Sequence, residues 1–300
     1  MKNLVKSVAV FFAVLATASC SNGEAPIEYS AIKQPMSFAA TMGGGPSARQ
    51  NVSGRRYTHL VLPTNAVHFD AGDAIGIFDG ANNNCRFETQ DNGASALFEG
   101  EAVGASTYTA LYPYQEGATL NGTTLSAVLP EAQIATVGTY DPLANLSVAT
   151  TSNAEKNFYF KNVCALIKFT LPYPMSKVVF YGLHGEKIAG NLSISVSETP
   201  SATGDSEEVA LVGANGSDIP AGTYYLAVLP QTYEYGFWMD CYKAGEDDKL
   251  DFWCEYDLSF TMQRAYIYDM GTLMEPVEGP FILNPHIETS LDTYNNWIIN

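Results

Sequence analysis

Short apolar and aromatic segments, each closed by glycine, asparagine or aspartate, follow one another along most of this 300-residue chain. Residues 74–78 (AIGIF) precede Asp79 and Gly80, and residues 224–230 follow a Pro-Ala-Gly turn. Such runs, rich in Val, Ile, Tyr, Phe and Thr, are typical of strands. The sequence contains no amphipathic helix of ordinary length. The pattern therefore predicts an all-β chain built from antiparallel sandwiches or barrels.

Length and two breaks in the strand pattern predict the domain organisation. At about 150 residues per domain, the chain beyond residue 19 has room for two domains. Residues 42–54 (MGGGPSARQNVSG) form a glycine-rich stretch of the kind that proteases cut, and residues 150–156 form a second break. We expect three parts after residue 19: a tether, first strand and cleavable loop (20–56), an N-terminal β-sandwich domain (57–155, with strand 36–41), and a C-terminal β-sandwich domain (156–300, with a tail at 272–300).

The first twenty residues have the order of a secretory signal peptide. Lys2 and Lys6 precede an apolar run, residues 8–16, which is shorter than the roughly 20 residues that cross a bilayer as a helix. Small residues then lead to Cys20, the arrangement of bacterial lipoproteins. Residues 1–19 are therefore predicted to be a lipoprotein signal peptide, with lipid attached to Cys20. The alternative is an ordinary signal peptide with a chance cysteine, because Thr17 stands where the usual motif has leucine.

The charge balance argues against two classes of partner. The chain has 15 Lys and Arg residues against 32 Asp and Glu, a net charge of −17. Binding to nucleic acid requires clustered basic residues that neutralise phosphates, and the sequence offers only the pair Arg55 and Arg56. We therefore expect no nucleic acid partner and no electrostatic adhesion to an anionic membrane.

Motifs for catalysis or for cofactor binding are missing from the sequence. The four histidines have no metalloprotease spacing, and there is no GxSxG nucleophile motif. The triple glycine at 43–45 lacks the Lys-Ser/Thr of a phosphate loop. The cysteines after Cys20 form no CxxC pair, so a structural zinc site is not expected. We predict no catalytic residue, no metal site, no cofactor and no enzymatic activity.

Residues 237–256 are predicted to form a hairpin whose two faces differ. A symmetric register places Cys241 opposite Cys254 on a mainly apolar face. One hypothesis is a cross-strand disulfide between these cysteines. The other, which we favour because directly opposed strand cysteines are often strained, is a pair of buried thiols that behave as small apolar residues.

The opposite face of this hairpin carries Trp238, Tyr242 and Trp253 among four carboxylates. An exposed aromatic patch beside polar acceptors suits a sugar or a protein partner. These three residues are therefore a candidate binding patch. The alternative is that another strand or the C-terminal tail covers them, since large aromatic side chains are mostly buried.

Five strand segments are each too short to indicate a family, but their number and order are specific. They are residues 37–40 (SFAA), 69–78 (FDAGDAIGIF), 108–114 (YTALYPY), 160–169 (FKNVCALIKF) and 219–230 (IPAGTYYLAVLP). In number and order they resemble the fimbrillin family, lipoproteins of Bacteroidales bacteria that form type V pili. The resemblance extends from about residue 36 to residue 273.

This resemblance implies two transthyretin-like antiparallel β-sandwich domains in tandem, and export as a lipoprotein to the outer membrane. It also implies strand exchange: an arginine-directed protease removes the strand at 36–41, and a strand of the next subunit fills the groove. The matching cleavage positions are Arg49, Arg55 and Arg56. The alternative is that these are ordinary loop arginines in an uncleaved anchor, tip or accessory subunit.

The C-terminal tail, residues 272–300, is a candidate donor segment for that exchange. Its residues 281–283 (FIL) and 297–299 (WII) are apolar and follow several prolines. The alternative is a tail folded back on its own domain, where it covers a sheet edge.

The sequence thus predicts a surface-exposed, lipid-anchored protein of the cell outer membrane, a fimbrillin-like pilus subunit or adhesin that enters the fimbrium once processed. Its expected partners are other pilus subunits through strand exchange, the outer membrane through its lipid, and a host or bacterial surface glycan or protein. The alternative function is a monomeric surface glycan-binding lipoprotein that uses the aromatic patch. A secreted hydrolase ranks last.

Overall fold

A computed structural model describes residues 32–42, 59–61, 66–245, 250–276 and 279–290. Within these ranges the regular structure is β-strand, apart from one 3-10 turn at Ala214–Gly216. The all-β prediction is confirmed. No helix in this part of the chain is long and apolar enough to cross a membrane.

The strands are short and are closed by turns, as the recurrence of Gly, Asn and Asp predicts. The strands of the described ranges are β1 (Gln34–Met42), β2 (His59–Val61), β3 (Ala66–His68), β4 (Ala74–Phe78), β5 (Asn84–Thr89), β6 (Ser95–Ala102), β7 (Thr107–Tyr112), β8 (Thr119–Asn121), β9 (Thr124–Leu129), β10 (Ala132–Ile134), β11 (Ser147–Ser152), β12 (Asn157–Asn162), β13 (Ala165–Leu171), β14 (Met175–Gly182), β15 (Gly190–Ser195), β16 (Ser201–Thr203), β17 (Glu208–Val212), β18 (Gly222–Val228), β19 (Thr232–Tyr233), β20 (Phe237–Lys243), β21 (Leu250–Tyr256), β22 (Phe260–Thr261), β23 (Tyr266–Thr272), β24 (Phe281–Ile282) and β25 (His286–Ser290).

The first group of strands closes on itself. Seven strands form one sheet in the order β1-β12-β11-β7-β4-β5-β6, and β6 pairs again with β1. β1 is parallel to β12 and antiparallel to β6. Each strand of this closed sheet therefore has a hydrogen-bonded neighbour on both sides over at least part of its length.

The second group of strands forms open sheets. Six strands pair in the order β10-β17-β14-β20-β21-β24, and four pair in the order β18-β13-β23-β25. The ring centroid of Phe260 in β22 lies 5.8 Å from that of Phe237 in β20 and 5.4 Å from that of Tyr268 in β23. The two sheets therefore share an aromatic core. The sheet β16-β15-β9-β8 and the ribbons β2-β3 and β19-β22 complete the described strands.

Four of the described ladders are parallel: β1–β12, β10–β17, β13–β23 and β21–β24. Antiparallel strands can be joined by a tight turn, whereas parallel partners need a long connection. Local turn signals therefore gave no indication of these four pairs. The arrangement as two transthyretin-like antiparallel sandwiches in tandem stays a prediction.

The predicted domain boundary, between residues 155 and 156, falls just before β12. β12 starts at Asn157 and pairs with β1 and β11 of the closed sheet. β9, from the N-terminal side of the boundary, pairs with β15 from the C-terminal side. Strands from both sides thus share sheets, and the division into domains at this point stays a prediction.

β1 contributes side chains to the interior of the closed sheet. Strand alternation puts Phe38, Ala40 and Met42 on one face, and all three are buried, whereas Ala39 between them is exposed. The predicted strand at 36–41 is therefore present, one to two residues longer at each end. Its C-terminal half is part of the core.

Replacing Phe38 by alanine should lower the free energy of unfolding by about 3–5 kcal/mol, because a fully buried ring is lost and a cavity is left. Urea unfolding followed by circular dichroism measures this change. The matched control is Leu97→Ala in β6, opposite Ala39 and 46% exposed, which should change stability by no more than about 0.5 kcal/mol. Equal losses in both variants would contradict the placement of β1.

Candidate functional site

The ring of Phe38 is the centre of an aromatic cluster inside the closed sheet. Its centroid lies 4.8 Å from that of Tyr108 in β7, 5.3 Å from that of Phe158 in β12 and 5.5 Å from that of Phe87 in β5. The contacts with Tyr108 and Phe87 are edge-to-face, an arrangement worth about 0.5–1.5 kcal/mol per pair beyond area burial. Phe38 of β1 therefore contacts aromatic rings from three other strands of the sheet, β5, β7 and β12.

The backbone of β1 is paired on both sides. Residues 34–41 pair with β6, and residues 39–42 pair with β12. The hydroxyl oxygens of Thr41 and Ser95 lie 3.0 Å apart, which adds a side-chain hydrogen bond to the β6 ladder. Without β1, both neighbours would present unpaired N–H and C=O groups beside an apolar space. We call this space, bounded by β6, β12 and the aromatic cluster, the β1 slot.

Asp79 fixes the end of β6, one wall of the slot. Its buried carboxylate accepts hydrogen bonds from the backbone N–H groups of Ala81, Asn83 and Val103, each at 2.9 Å, and Val103 directly follows β6. The thiol of Cys85 donates to the same carboxylate at 3.4 Å. Burial raises the pKa of Asp79, but the hydrogen bonds from Val103 and Asn83 outweigh burial, so this pKa lies below its usual value.

The predicted anchoring and cleavage residues are Cys20, Arg49, Arg55 and Arg56. All four lie outside the described residues. The structure thus gives the position of the strand that these residues would anchor and release, and their roles stay predictions.

The structure brings together the three residues of the candidate aromatic patch. Trp238, Tyr242 and Trp253 lie on one face of the six-stranded sheet, and each is partly exposed. The ring centroids of Trp238 and Trp253 are 6.4 Å apart. From β14, Tyr181 lies 6.2 Å from Trp238, and the Nζ of Lys177 lies 4.2 Å from the centroid of Tyr242. These five residues and Asp240, which shares their face, are called the aromatic sheet face below.

Sequence reasoning did not find the contribution of β14 to this face. Alternation along β14 was the available signal, because residues 177, 179 and 181 share one side of the strand. The sequence offers no signal that β14 pairs with β20, since their connection is long. The hydroxyl of Tyr181 donates a hydrogen bond to Oδ2 of Asp240 at 3.2 Å. Burial raises the pKa of Asp240, and burial together with the nearby Asp240 charge raises that of Tyr181.

The register of the hairpin differs from the predicted one by two residues. Cys241 lies opposite Phe252 and Cys254 lies opposite Met239, so the predicted facing positions of the two cysteines are wrong. The hairpin is not symmetric, because β21 carries an extra residue between the partners of Cys241 and Tyr242. A shift of two keeps both cysteines on the buried face. Both cysteines are buried thiols in the structure, which is the hypothesis that the sequence favoured over a disulfide.

The described part of the C-terminal tail is folded back. β24 pairs with β21, and β25 pairs with β23. The Nζ of Lys168 lies 2.8 Å from Oδ2 of Asp269 and 3.0 Å from Oε1 of Glu288, which joins β25 to its sheet. Burial lowers the pKa of Lys168, and its hydrogen bonds to the two carboxylates raise it above the usual value on balance. Ile287 of β25 is 56% exposed, so this strand adds little to the core.

The described ranges contain a further small cleft and no cluster of metal-ligating side chains. These ranges hold no group of three or more His, Cys, Asp or Glu residues placed to bind a metal ion. A cleft of about 110 Å³ lies between Arg86, Tyr112, Tyr114 and Leu143, below the roughly 300–1,000 Å³ of ordinary small-molecule pockets. The β1 slot and the aromatic sheet face are therefore the candidate functional surfaces.

Comparison with known proteins bears on the fold. The structure is similar to that of a candidate cell adhesion protein from Bacteroides uniformis, with a TM-score of 0.51 and 16% identity over 85% of this chain and 97% of that one. It also matches a candidate cell adhesion protein from Bacteroides ovatus, with a TM-score of 0.47 and 14% identity over 90% and 99% of the two chains. A third match is the tip fimbrial protein Mfa3 from Porphyromonas gingivalis with a C-terminal truncation, with a TM-score of 0.34 and 9% identity over 85% and 99%.

Neither a family model nor a curated protein sequence matches the chain. The neighbour from Bacteroides uniformis is described as a candidate cell adhesion protein, and what this chain shares with it is the fold. At these identities the likeness concerns the fold alone.

Replacing Asp79 by asparagine should destabilise the protein by about 1–3 kcal/mol at neutral pH, because the buried N–H of Val103 and the turn N–H groups of Ala81 and Asn83 lose a charged acceptor. The pKa of Asp79 is lowered in the folded state, so its stabilisation is complete above the unfolded value of about 3.9 and is lost as the pH falls through the folded value. The difference from wild type should therefore shrink on acidification, which urea unfolding at several pH values measures.

The matched control for this prediction is Asp218→Asn, which makes the same chemical change at an exposed position. It should leave the unfolding midpoint unchanged at every pH. A loss in Asp79→Asn that stays constant down to strongly acidic pH would contradict the assignment of a charged carboxylate to this turn.

Proposed function

We propose that this chain is a cell-surface pilus subunit or adhesin of the fimbrillin type that assembles by strand exchange. The observation that carries the proposal is the position of β1, a strand early in the chain that is paired on both sides and fills the closed sheet with Phe38. The likeness of fold to a candidate cell adhesion protein supports the same role.

The properties of the β1 slot explain how such an exchange would work. Loss of β1 would expose the backbone edges of β6 and β12 together with the rings that surround Phe38. A strand from a second copy, apolar at alternate positions, would restore both ladders and the buried surface. Because donor and acceptor surfaces differ, such contacts do not close into a dimer and extend into a filament.

Release of β1 would follow from a cut after Arg49, Arg55 or Arg56. These arginines lie in the sequence between β1 and β2. A cut there would leave β1 held by non-covalent contacts alone, while it stayed joined to Cys20. Lipid and strand would then leave together.

The tail beyond residue 272 is the donor segment that we propose for the exchange. Its described strand β25 is held by the ladder with β23 and by Lys168, and its Ile287 is exposed. Ion pairs near the surface contribute only about 0–1 kcal/mol. Detachment of β25 alone would therefore cost less than detachment of β1, which carries a fully buried ring, and release of the whole tail would also expose the buried Leu283.

Cys20 would hold the protein at the outer membrane until cleavage. Several acyl chains anchor a protein stably, whereas one chain does so only marginally. An uncut subunit would stay on the cell surface as an anchored adhesin, and a cut one would enter the fimbrium with other pilus subunits as partners. The alternative function, a monomeric glycan-binding surface lipoprotein, depends on the aromatic sheet face alone.

Digestion of the chain without residues 1–19 by an arginine-specific protease should produce a ladder of SDS-resistant oligomers, because an open β1 slot accepts a strand from another copy. Gel electrophoresis without heating measures the ladder. Clipped protein that remains monomeric would contradict strand exchange.

The control is the triple variant in which Arg49, Arg55 and Arg56 are changed to glutamine, leaving Arg86 and Arg264 as the other arginines. This variant should stay monomeric after the same digestion. Oligomers of the triple variant would show that another cut or another surface drives assembly.

Replacing Cys20 by alanine should abolish labelling by an alkyne fatty acid fed to the producing cells and should move the protein out of the membrane fraction. The thiol that accepts the lipid is then missing. The control is Cys85→Ala, which removes a buried thiol and should keep the label. Label retained in the Cys20 variant would contradict lipidation at this residue.

A further inference from the structure

The aromatic sheet face places one carboxylate among three aromatic side chains. Tyr181 lies opposite Trp238 across the ladder, and Trp238 lies opposite Glu255. In the adjacent row, Asp240 lies opposite Trp253. Trp238 and Asp240 are two residues apart on β20 and share a face. The carboxylate of Asp240 therefore has Tyr181, Trp238 and Trp253 around it, at the centre of a six-stranded sheet.

The carboxylate of Asp240 forms no ion pair within 4.0 Å with a described residue. Its partner is the hydroxyl of Tyr181, at 3.2 Å. The ion pairs in these ranges involve other carboxylates. The ammonium of Lys177, on the same face, stacks on the ring of Tyr242. Burial disfavours the charged form of Asp240 and raises its pKa, so a cation at this point would relieve the cost of partial burial.

The rest of the face fits a partner with positive charge and apolar neighbours. Glu208 and Glu255 lie in the row of Tyr181 and Trp238, which makes this side acidic. Exposed apolar side chains border the face: Ile134 (39% exposed), Leu250 (43%) and Ile282 (64%). These three residues lie on β10, β21 and β24, on different sides of the face.

We propose that the aromatic sheet face binds a basic segment of a partner protein, with an arginine or lysine side chain over Trp238 and Trp253 and against Asp240. Aromatic faces attract cations through their quadrupole, and a carboxylate adds a charge-assisted hydrogen bond. The net charge of −17 attracts a basic partner at long range. The face lies on a different sheet from the β1 slot, and Trp238, Asp240 and Trp253 lie outside the tail that we propose as the donor. The inference therefore does not depend on strand exchange.

A neutral sugar is the competing ligand, because sugar rings also stack on indoles. A sugar would leave the carboxylate of Asp240 without a positive partner. The unneutralised charge at the centre of the face, and the two further carboxylates beside it, therefore favour the basic segment.

The test is isothermal titration of the chain without residues 1–19 with the peptide acetyl-Gly-Arg-Gly-Arg-Gly-amide, at about 0.15 M salt, where long-range attraction is screened beyond about 8 Å. We expect saturable binding by wild type. Asp240→Asn and Trp253→Leu should each weaken it about tenfold. Asp218→Asn, which removes the same charge from an exposed position elsewhere, should weaken it less than about twofold.

Further variants and ligands keep the outcome unambiguous. Asp240→Glu retains the charge and should bind within about threefold of wild type, and unfolding midpoints establish that each variant is folded. Equal weakening by Asp240→Asn and Asp218→Asn would overturn the proposal in favour of general electrostatic attraction. Absence of saturable peptide binding, or binding of neutral oligosaccharides in its place that Trp253→Leu abolishes, would also overturn it. Oligomer formation after arginine-specific digestion is scored separately, so failure of one proposal leaves the other testable.

Discussion

The double pairing of β1 is the constraint on which the closed sheet depends. Two backbone ladders, with β6 and β12, converge on one strand, and the same strand places Phe38 at the centre of the aromatic cluster. Hydrogen bonding and burial therefore depend on the same few residues. With β1 in place every strand of the sheet has two neighbours; without it the sheet would have two edges and an apolar opening between them.

The second half of the chain uses its aromatic residues in two different ways. On the inner side of β20, Phe237 joins Phe260 and Tyr268 in a packed core. On the outer side of the same strand, Trp238 stays partly exposed beside Asp240. Strand alternation separates these two environments by a single residue. Assembly through the β1 slot and recognition through the aromatic sheet face would thus occupy separate surfaces of one molecule.

Local pattern was enough to predict the strands and the faces of the hairpin, but not which strands meet. The strand at 36–41 and the apolar face with Cys241 and Cys254 follow from alternation, which is a property of neighbouring residues. The pairing of β1 with β12, or of β14 with β20, depends on packing between segments far apart in sequence. The predicted hairpin register was wrong for a related reason. The extra residue in β21 cannot be recognised from the order of apolar and polar residues.

The distance along the chain between β1 and its partners sets the order in which the closed sheet can form. Met42 pairs with Phe160, so β1 cannot complete its second ladder until more than a hundred further residues are present. Such non-local pairs form slowly, because loop closure precedes any gain from the contact. In a chain that emerges from its amino end, β1 would therefore have its partners in β5, β6 and β7 before its second ladder with β12 could form. The first of the described strands is thus among the last to complete its backbone pairing.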